Sequence, residues 1–302
     1  MNFAYYPGCS AKGSSADYEM SVQAVCRALD VNLAEIPDWN CCGSTPAHAV
    51  DIELSAALCA RNLDIAAKQQ ADLLLTPCPS CMSNLKLAAH RMENPKFRAR
   101  VNELLDEPVA VQLPPVTSVM QGLAEKIGIE AIAGRVRRPL KGVKLAAYYG
   151  CLMSRPAEIM NFGDPENPTL MEEMMAACGA EMVDFPLKTA CCGASFGIPE
   201  RPMTAKNSGR ILELAARLNV DAIVVACPLC QMNLDLRQGQ AGRAGETHYN
   251  IPVLYFTQLI GLAYGLPESE LGLNKLCVSA DRVVKKLADG QAAAAGQTAQ
   301  AA

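Results

Sequence analysis

The sequence predicts an α/β protein of two homologous Cys-Cys-Gly domains, each with parallel-sheet strand–helix repeats, related by pseudo-twofold symmetry. Three observations predict it. Short apolar runs alternate with helix-length amphipathic segments, the order that gives parallel strands joined by right-handed crossovers. The whole order occurs twice in 302 residues. Ten of the fourteen cysteines also repeat in one spacing, as C-x31-C-C-x35-C-x2-C and then C-x39-C-C-x34-C-x2-C. These are Cys9, Cys41, Cys42, Cys78 and Cys81, followed by Cys151, Cys191, Cys192, Cys227 and Cys230.

In the first half, strands are expected over Phe3–Tyr6, Leu33–Ile36, Asp72–Thr76 and Val109–Leu113. Helices are expected over Tyr18–Leu29, Pro46–Gln69, a stretch after Pro79, and Thr117–Ile127. Thr45-Pro46 offers an N-cap and a first-turn proline. The second half repeats this with strands at Val143–Tyr149, Glu181–Phe185, Ala222–Ala226 and Val253–Tyr255. Its helices are Pro168–Cys178, Arg201–Leu218, a stretch after Pro228, and Thr257–Tyr264. Thr169 with Glu172 three residues on has capping-box form. The polar, Gly- and Pro-punctuated stretch Gly128–Gly142 separates the halves, giving domains 1–138 and 139–283. Residues 284–302 are expected to be a disordered tail, since Gly, Gln and Ala without an apolar face dominate from Asp289.

At 50% hydrophobic and 19% charged residues, the composition is that of a soluble protein with two sizeable cores. The start lacks the basic stretch, apolar run and cleavage site of a secretory signal, so a cytoplasmic location is expected. The longest apolar run, Ile251–Leu266, is interrupted by Pro252, Thr257 and Gln258 and falls short of the ~20 residues that span a bilayer. No transmembrane segment is expected. A formal charge of −4 argues against a nucleic-acid surface. The basic run Arg135–Arg138 reads as a solvated linker. Fourteen cysteines in a reducing compartment point to metal binding or redox chemistry rather than disulfides.

On the strand–helix plan every motif cysteine falls at or just beyond the C-terminal end of a strand, the edge where open parallel sheets bind ligands. Five sulfurs per half therefore converge. Pro79 and Pro228 suit first helical turns whose N–H groups support thiolate charge, and Gly43 and Gly193 permit a sharp turn at positive φ. Structural zinc and a cubane iron–sulfur cluster each use four ligands, so five favour an extended or distorted cluster. Zinc on the two C-x2-C pairs alone, or thioredoxin-like dithiol chemistry, leaves the other repeated cysteines without a role. Cys26 and Cys178 read as core residues, as do Met171, Met174 and Met175. The roles of Cys59 and Cys277 stay open, and His48 is the histidine closest to a motif. Lys12, Arg155 and Lys188 stand near cluster cysteines and are candidate contacts for an anionic substrate.

The doubled Cys-Cys-Gly, with Tyr-Tyr-Gly-Cys and Arg155-Pro156 opening the second copy, resembles the B subunit of heterodisulfide reductase over Asn2 to about Ser279. The resemblance implies a noncubane [4Fe–4S] cluster on each five-cysteine set and reductive cleavage, or reversible formation, of a disulfide between them. It also implies partners: a protein like the C subunit of that family, with cubane [4Fe–4S] clusters, and a flavin-containing protein like its A subunit, sometimes joined to a hydrogenase or dehydrogenase. The chain itself has neither a dinucleotide fingerprint nor a ferredoxin cysteine run, so electrons must come from a partner. The alternative is an electron-transfer iron–sulfur component of another complex, such as a lactate or glycolate oxidase or a sulfur-metabolism complex.

Overall fold

The computed structural model describes residues 1–300, with side chains described for all but residue 45 and residues 291–300. The first half runs β1 (Asn2–Tyr5), α1 (Ala16–Ala28), β2 (Asn32–Glu35), α2 (Ser44–Val50), α3 (Ile52–Lys68), β3 (Leu74–Thr76), α4 (Pro79–Met92), α5 (Pro95–Asn102), β4 (Val116–Ser118) and α6 (Val119–Lys126). A short helix, α7 (Ile129–Ala133), lies in the linker. The second half runs β5 (Lys144–Tyr148), α8 (Ala157–Met160), α9 (Leu170–Ala177), β6 (Glu181–Met182), α10 (Arg201–Arg217), β7 (Ala222–Val225), α11 (Pro228–Asp235), α12 (Gln238–Ala244), β8 (Val253–Tyr255), α13 (Phe256–Tyr264) and α14 (Asp281–Gln300).

Each half forms its own four-stranded parallel sheet, in the orders β2-β1-β3-β4 and β6-β5-β7-β8. The duplication seen in the text is thus a duplication of topology. The central strand β7 is the uninterrupted apolar run Ala222–Val225, buried along its length, as expected of a strand covered on both faces. Its register sets Ile223 opposite Val253 and Leu145 opposite Ala222. No helix among the described residues is long and apolar enough to cross a membrane.

The halves meet through exchanged helices. α1 of the first half lies against α13 of the second, and the equivalent pair, α9 against α6, repeats this on the other side. That reciprocity is what a pseudo-twofold axis requires. At the first contact Tyr18 stacks on Tyr255, with ring centroids 3.9 Å apart and planes 1° from parallel. The Ser21 and Thr257 hydroxyls bond 2.7 Å apart in the same buried layer. Lys86 Nζ donates to the Met160 carbonyl at 2.6 Å, and the Tyr264 hydroxyl to that of Ile132 at 2.9 Å, further ties across the seam.

Several expectations are corrected. The helix over Pro46–Gln69 is two helices, because the Asp51 side chain accepts from the N–H groups of Glu53 and Leu54 and starts α3 afresh. Gly43, not Thr45, occupies the N-cap of α2. The Val109–Leu113 run is no strand: Asp64 Oδ1 takes the Ala110 N–H at 2.8 Å, and Arg98 donates to the Ala110 and Val111 carbonyls. Pairing begins only after Pro114-Pro115, in β4. The Thr169–Glu172 capping box does not form; Thr169 bonds to Glu173 instead, and Glu172 turns inward. Finally, the tail expected to be disordered from residue 284 begins as helix α14, whose Val283 and Leu287 are buried at i,i+4 spacing and whose Lys286 reaches Asp221 at 2.6 Å.

Candidate metal centre

In both halves the five motif sulfurs gather beyond the strand ends, and they do so in the same two layers. Cys42, Cys78 and Cys81 are buried, as are Cys192, Cys227 and Cys230; Cys9, Cys41 and Cys191 are exposed and Cys151 is half-buried. The Cys42 and Cys81 sulfurs lie 3.4 Å apart and those of Cys9 and Cys41 3.6 Å apart, while Cys192 and Cys230 are 3.7 Å apart. Each set is therefore an inner trio capped by an outer pair facing solvent. Among the described residues no three His, Cys, Asp or Glu side chains converge on the position of a single ion. Five sulfur donors in each set, one more than a single zinc takes, suit an iron–sulfur unit.

Local backbone explains the convergence. Gly43 and Gly193 take φ of +80° and +98°, which lets each Cys-Cys pair turn back toward its strand. Gly8 and Gly150 have a different task. A Cβ at Gly8 would stand 3.0 Å from Cys81 Sγ, and one at Gly150 only 2.7 Å from Cys230 Sγ, so the missing side chain is the space the sulfur occupies. Tyr6 and Tyr148, each three residues before the first cysteine, donate to the carbonyls of Asn40 and Ala190 at 2.9 and 2.6 Å. These carbonyls immediately precede the Cys-Cys pairs, so two loops distant in sequence are pinned together.

Two further residues were missed at the sequence level. Asn84 and Asn233, three positions after the last cysteine of each set, point their Nδ2 groups at Cys42 Sγ (3.8 Å) and Cys192 Sγ (3.4 Å). Each also holds a loop carbonyl at 3.0 Å, that of Ser44 or Ala194. The signal was in the doubled text, Cys-Pro-Ser-Cys-Met-Ser-Asn-Leu against Cys-Pro-Leu-Cys-Gln-Met-Asn-Leu.

The electrostatics sort donors from acceptors within each set. Cys42 is pulled down to about 3, first by the hydrogen bond from Cys41 and next by that from Cys81. Cys78 is lowered by Cys81 and by the N–H groups at the start of α4. Cys41 and Cys81, the donors, are raised. In the second half Cys191 is brought down to about 6 by Cys151 and Cys192 to about 7 by Cys230, with Cys151 and Cys230 raised in return. Both sets thus carry sulfurs poised as thiolates, the form that ligates metal. Outside the sets, burial raises Cys26 and Cys178 to about 12, as core thiols. Cys59 is buried with its sulfur 3.5 Å from the Cys42 carbonyl, and Cys277 is exposed. His48 is exposed on α2.

The three candidate substrate cations all have carboxylate partners within the chain. Lys12 pairs with Glu35 at 2.9 Å, both exposed, and Arg155 grips Glu166 with two bonds, at 3.0 and 2.8 Å. Lys188 is corrected more strongly. Its amine is buried against Glu172 Oε1 at 2.6 Å and the Pro168 carbonyl at 3.1 Å, and Glu172 also accepts from the Tyr149 hydroxyl. A first-turn glutamate of α9 has captured it. The cation beside an exposed motif cysteine is instead Arg210, which with Asn207 and Cys191 lines a cavity of about 210 Å³.

Comparison with known proteins places the chain in a family. The chain matches the cysteine-rich domain model twice, over residues 3–86 and 145–235. It is 34% identical to the 8-methylmenaquinol:fumarate reductase membrane anchor subunit of Wolinella succinogenes, covering 93% of this chain and 98% of that one. It is 30% identical to the B subunit of the ferredoxin:CoB-CoM heterodisulfide reductase of Methanosarcina mazei, over 90% and 92% of the two chains. A hypothetical protein from Helicobacter pylori shares the fold with a TM-score of 0.71 at 12% identity, over 92% of this chain and 52% of its own. With both cysteine-rich domains matched and near-full-length identity at this level, the chain belongs to the two-domain cysteine-rich family that includes the heterodisulfide reductase B subunits.

Proposed function

We propose that this chain is the disulfide-reducing iron–sulfur component of a multi-subunit oxidoreductase. One noncubane [4Fe–4S] cluster is held by Cys9, Cys41, Cys42, Cys78 and Cys81 in domain 1–138. A second is held by Cys151, Cys191, Cys192, Cys227 and Cys230 in domain 139–283. The observation that supports this most is the paired layering of the sulfurs, five in each half with two reaching the surface, where a cubane would need four. Bound there, the clusters supply one-electron steps. The chain's own residues bury the inner sulfurs, hold the outer pair open to solvent and offer cations at the rim.

The net reaction joins one disulfide, two electrons and two protons to give two thiols. A partner with cubane clusters, like the family's C subunit, and a flavin-containing partner, like its A subunit, supply the electrons, drawn from a hydrogenase or dehydrogenase. The protons come from solvent. An anionic tail on the disulfide competes with Glu35 for Lys12 and with Glu166 for Arg155, and meets Arg210 beside Cys191. Such an assembly works on the cytoplasmic side.

A second reading is favoured by the fumarate reductase relative, named as a membrane anchor subunit. Here the chain passes electrons at a membrane surface and does no disulfide chemistry itself. Anaerobic purification with its partners, iron analysis and turnover of a disulfide panel separate the two. About eight irons with turnover supports disulfide reduction. Full iron with no turnover of any disulfide supports the relay, and zinc in place of iron sinks both.

A further inference from the structure

The second half holds its asparagine in a way the first does not. Asn233 is 2% exposed, and its amide nitrogen directs its two hydrogens to the Ala194 carbonyl at 3.0 Å and to Cys192 Sγ at 3.4 Å. The amide oxygen is occupied as well. Arg237, one helical turn further along, donates from Nε to Asn233 Oδ1 at 3.1 Å and from Nη1 to Gln240 Oε1 at 3.1 Å. Its guanidinium is seated on the loop that follows the Cys-Cys pair, since a Cβ at Gly197 would stand 2.6 Å from Nη2 and 2.9 Å from Cζ. Gly197 closes the 3-10 turn Ala194–Gly197, whose first carbonyl Asn233 holds. Turn, amide and guanidinium thus form one clamp on Cys192. At the matching places the first half differs twice. Four residues after Asn84 stands Ala88, which offers no cation. Ser208 donates to the Cys192 carbonyl at 3.1 Å, whereas its counterpart Cys59 lies 3.5 Å from the Cys42 carbonyl, and Asn84 gives part of its amide to that same carbonyl at 3.2 Å. The Asn84 amide stands farther from its sulfur, at 3.8 Å.

We propose, on the reading of two bound clusters, that Arg237 is a positioning residue for the second centre: it fixes and polarises Asn233 so that an amide N–H points at the Cys192 sulfur. The second centre is thereby easier to reduce than the first. A primary amide can turn over, exchanging nitrogen for oxygen, and in the turned form a lone pair would face the sulfur. The guanidinium on Oδ1 forbids that form, because its donors would then meet donors. The same charge-assisted bond draws electron density from the amide and strengthens its N–H as a donor. Hydrogen bonds to ligand sulfur stabilise the more negative, reduced state and so raise the reduction potential. Each centre takes one electron from the partner subunits, and the amide keeps its protons throughout. Ser208 assists by holding the Cys192 carbonyl, which would otherwise compete for the amide. Arg237 touches neither substrate nor iron.

The test is a redox titration, followed by electron paramagnetic resonance, of the full anaerobically reconstituted chain and its Arg237→Met, Asn233→Ala and doubly substituted variants. Methionine keeps the packing of the arginine stem and removes the guanidinium. In the parent chain the second centre, assigned as the signal that Cys192→Ala removes, should have the higher potential. Arg237→Met should keep about eight irons and make the second centre harder to reduce, by up to tenfold in the reduction equilibrium, or about 59 mV for one electron, with the first centre unmoved. Added to Asn233→Ala, the same substitution should shift nothing further, since the amide through which it acts is gone. A shift that persists without Asn233 overturns the positioning role, because the charge then acts directly. Unmoved potentials in an Arg237→Met chain with full iron, or a parent whose first centre is the easier to reduce, overturn the inference while leaving the cluster assignment standing. Should Arg237→Met not keep its second centre, Ser208→Cys, which installs the first half's residue, gives the reading: a lowered second potential supports the clamp, and an unmoved one overturns it. If the parent chain binds no clusters, the proposed function fails first and the role of Arg237 with it.

Discussion

The two halves agree wherever a sulfur is positioned and disagree in the charges around it. Tyr6 and Tyr148, Gly8 and Gly150, Gly43 and Gly193, and Asn84 and Asn233 do matching jobs in matching places. Three residues before the Cys-Cys pair, however, the first half has Asp38, which takes the Arg61 guanidinium, and the second has Lys188. Arg210, set on α10 as Arg61 is on α3, thereby faces Cys191 without that aspartate. Pro7 in the first half is replaced by Tyr149, which together with Lys188 binds Glu172 in a buried network. The difference teaches that duplication has kept the demands of the metal group and released the demands of the surface. Equivalent centres then meet unequal surroundings.

The sharpest break of that comparison removes one sulfur. Cys42→Ala should empty the first half and Cys192→Ala the second, each lowering iron from about eight to about four per chain, while Cys26→Ala and Cys178→Ala keep it all. Iron analysis after anaerobic reconstitution reads this, and equal loss from Cys178→Ala would remove the distinction between ligand and core thiols. Next in size is the network found only in the second half. Glu172→Ala leaves the buried Lys188 ammonium without its carboxylate, with only the Pro168 carbonyl beside it, and should cost about 3–5 kcal/mol in denaturant unfolding of the metal-free chain. Lys12→Ala, which breaks the exposed pair with Glu35, should cost about 1 kcal/mol or less. Should the two variants unfold alike, the buried network contributes nothing special.

The asparagines probe the shared machinery. Asn233→Ala and Asn84→Ala should each weaken their own centre by about 1–3 kcal/mol, seen as faster iron release to a chelator. The loss is expected to be larger at Asn233, whose amide is closer to sulfur (3.4 against 3.8 Å). At the rim, Arg210→Ala should raise KM for an anionic disulfide about tenfold, or about 1.4 kcal/mol, with iron and kcat unchanged. Arg61→Ala should leave KM alone. An unchanged KM in Arg210→Ala would return the charge-recognition role to Lys12 and Arg155.

Much of the fold was legible because it is written twice. The apolar runs Phe3–Tyr6 and Ala222–Ala226 fall on β1 and β7, and the periodic stretches fall on α1, α9 and α10. Duplication did not protect every expectation. Val109–Leu113 looks like a strand in composition, but Asp64 and Arg98 consume its backbone groups and two prolines delay pairing. Glu172 has the spacing of a capping residue, yet Tyr149 and Lys188 bind it, and neither is its neighbour in sequence. Which cation faces solvent and which is captured depends on such tertiary partners, and Glu172 captures Lys188. Asn84 and Asn233 stand at matching places in the doubled sequence, but their role appears only when the fold brings the loop carbonyls of Ser44 and Ala194 to their amides.

The exchanged helices of the seam carry a consequence for assembly. Like units that bury α1 against α13 and α9 against α6 have the reciprocal interface of a symmetric homodimer, and a single unit on its own would depend on mass action to find its mate. Residues 128–142 turn that encounter into an intramolecular one, at an effective concentration set by a short tether rather than by the abundance of the protein. Dilution no longer separates the halves. The tether also freed each copy from identity with its mate, and that freedom allows a stacked tyrosine pair on one side of the axis and, among the described residues, none on the other.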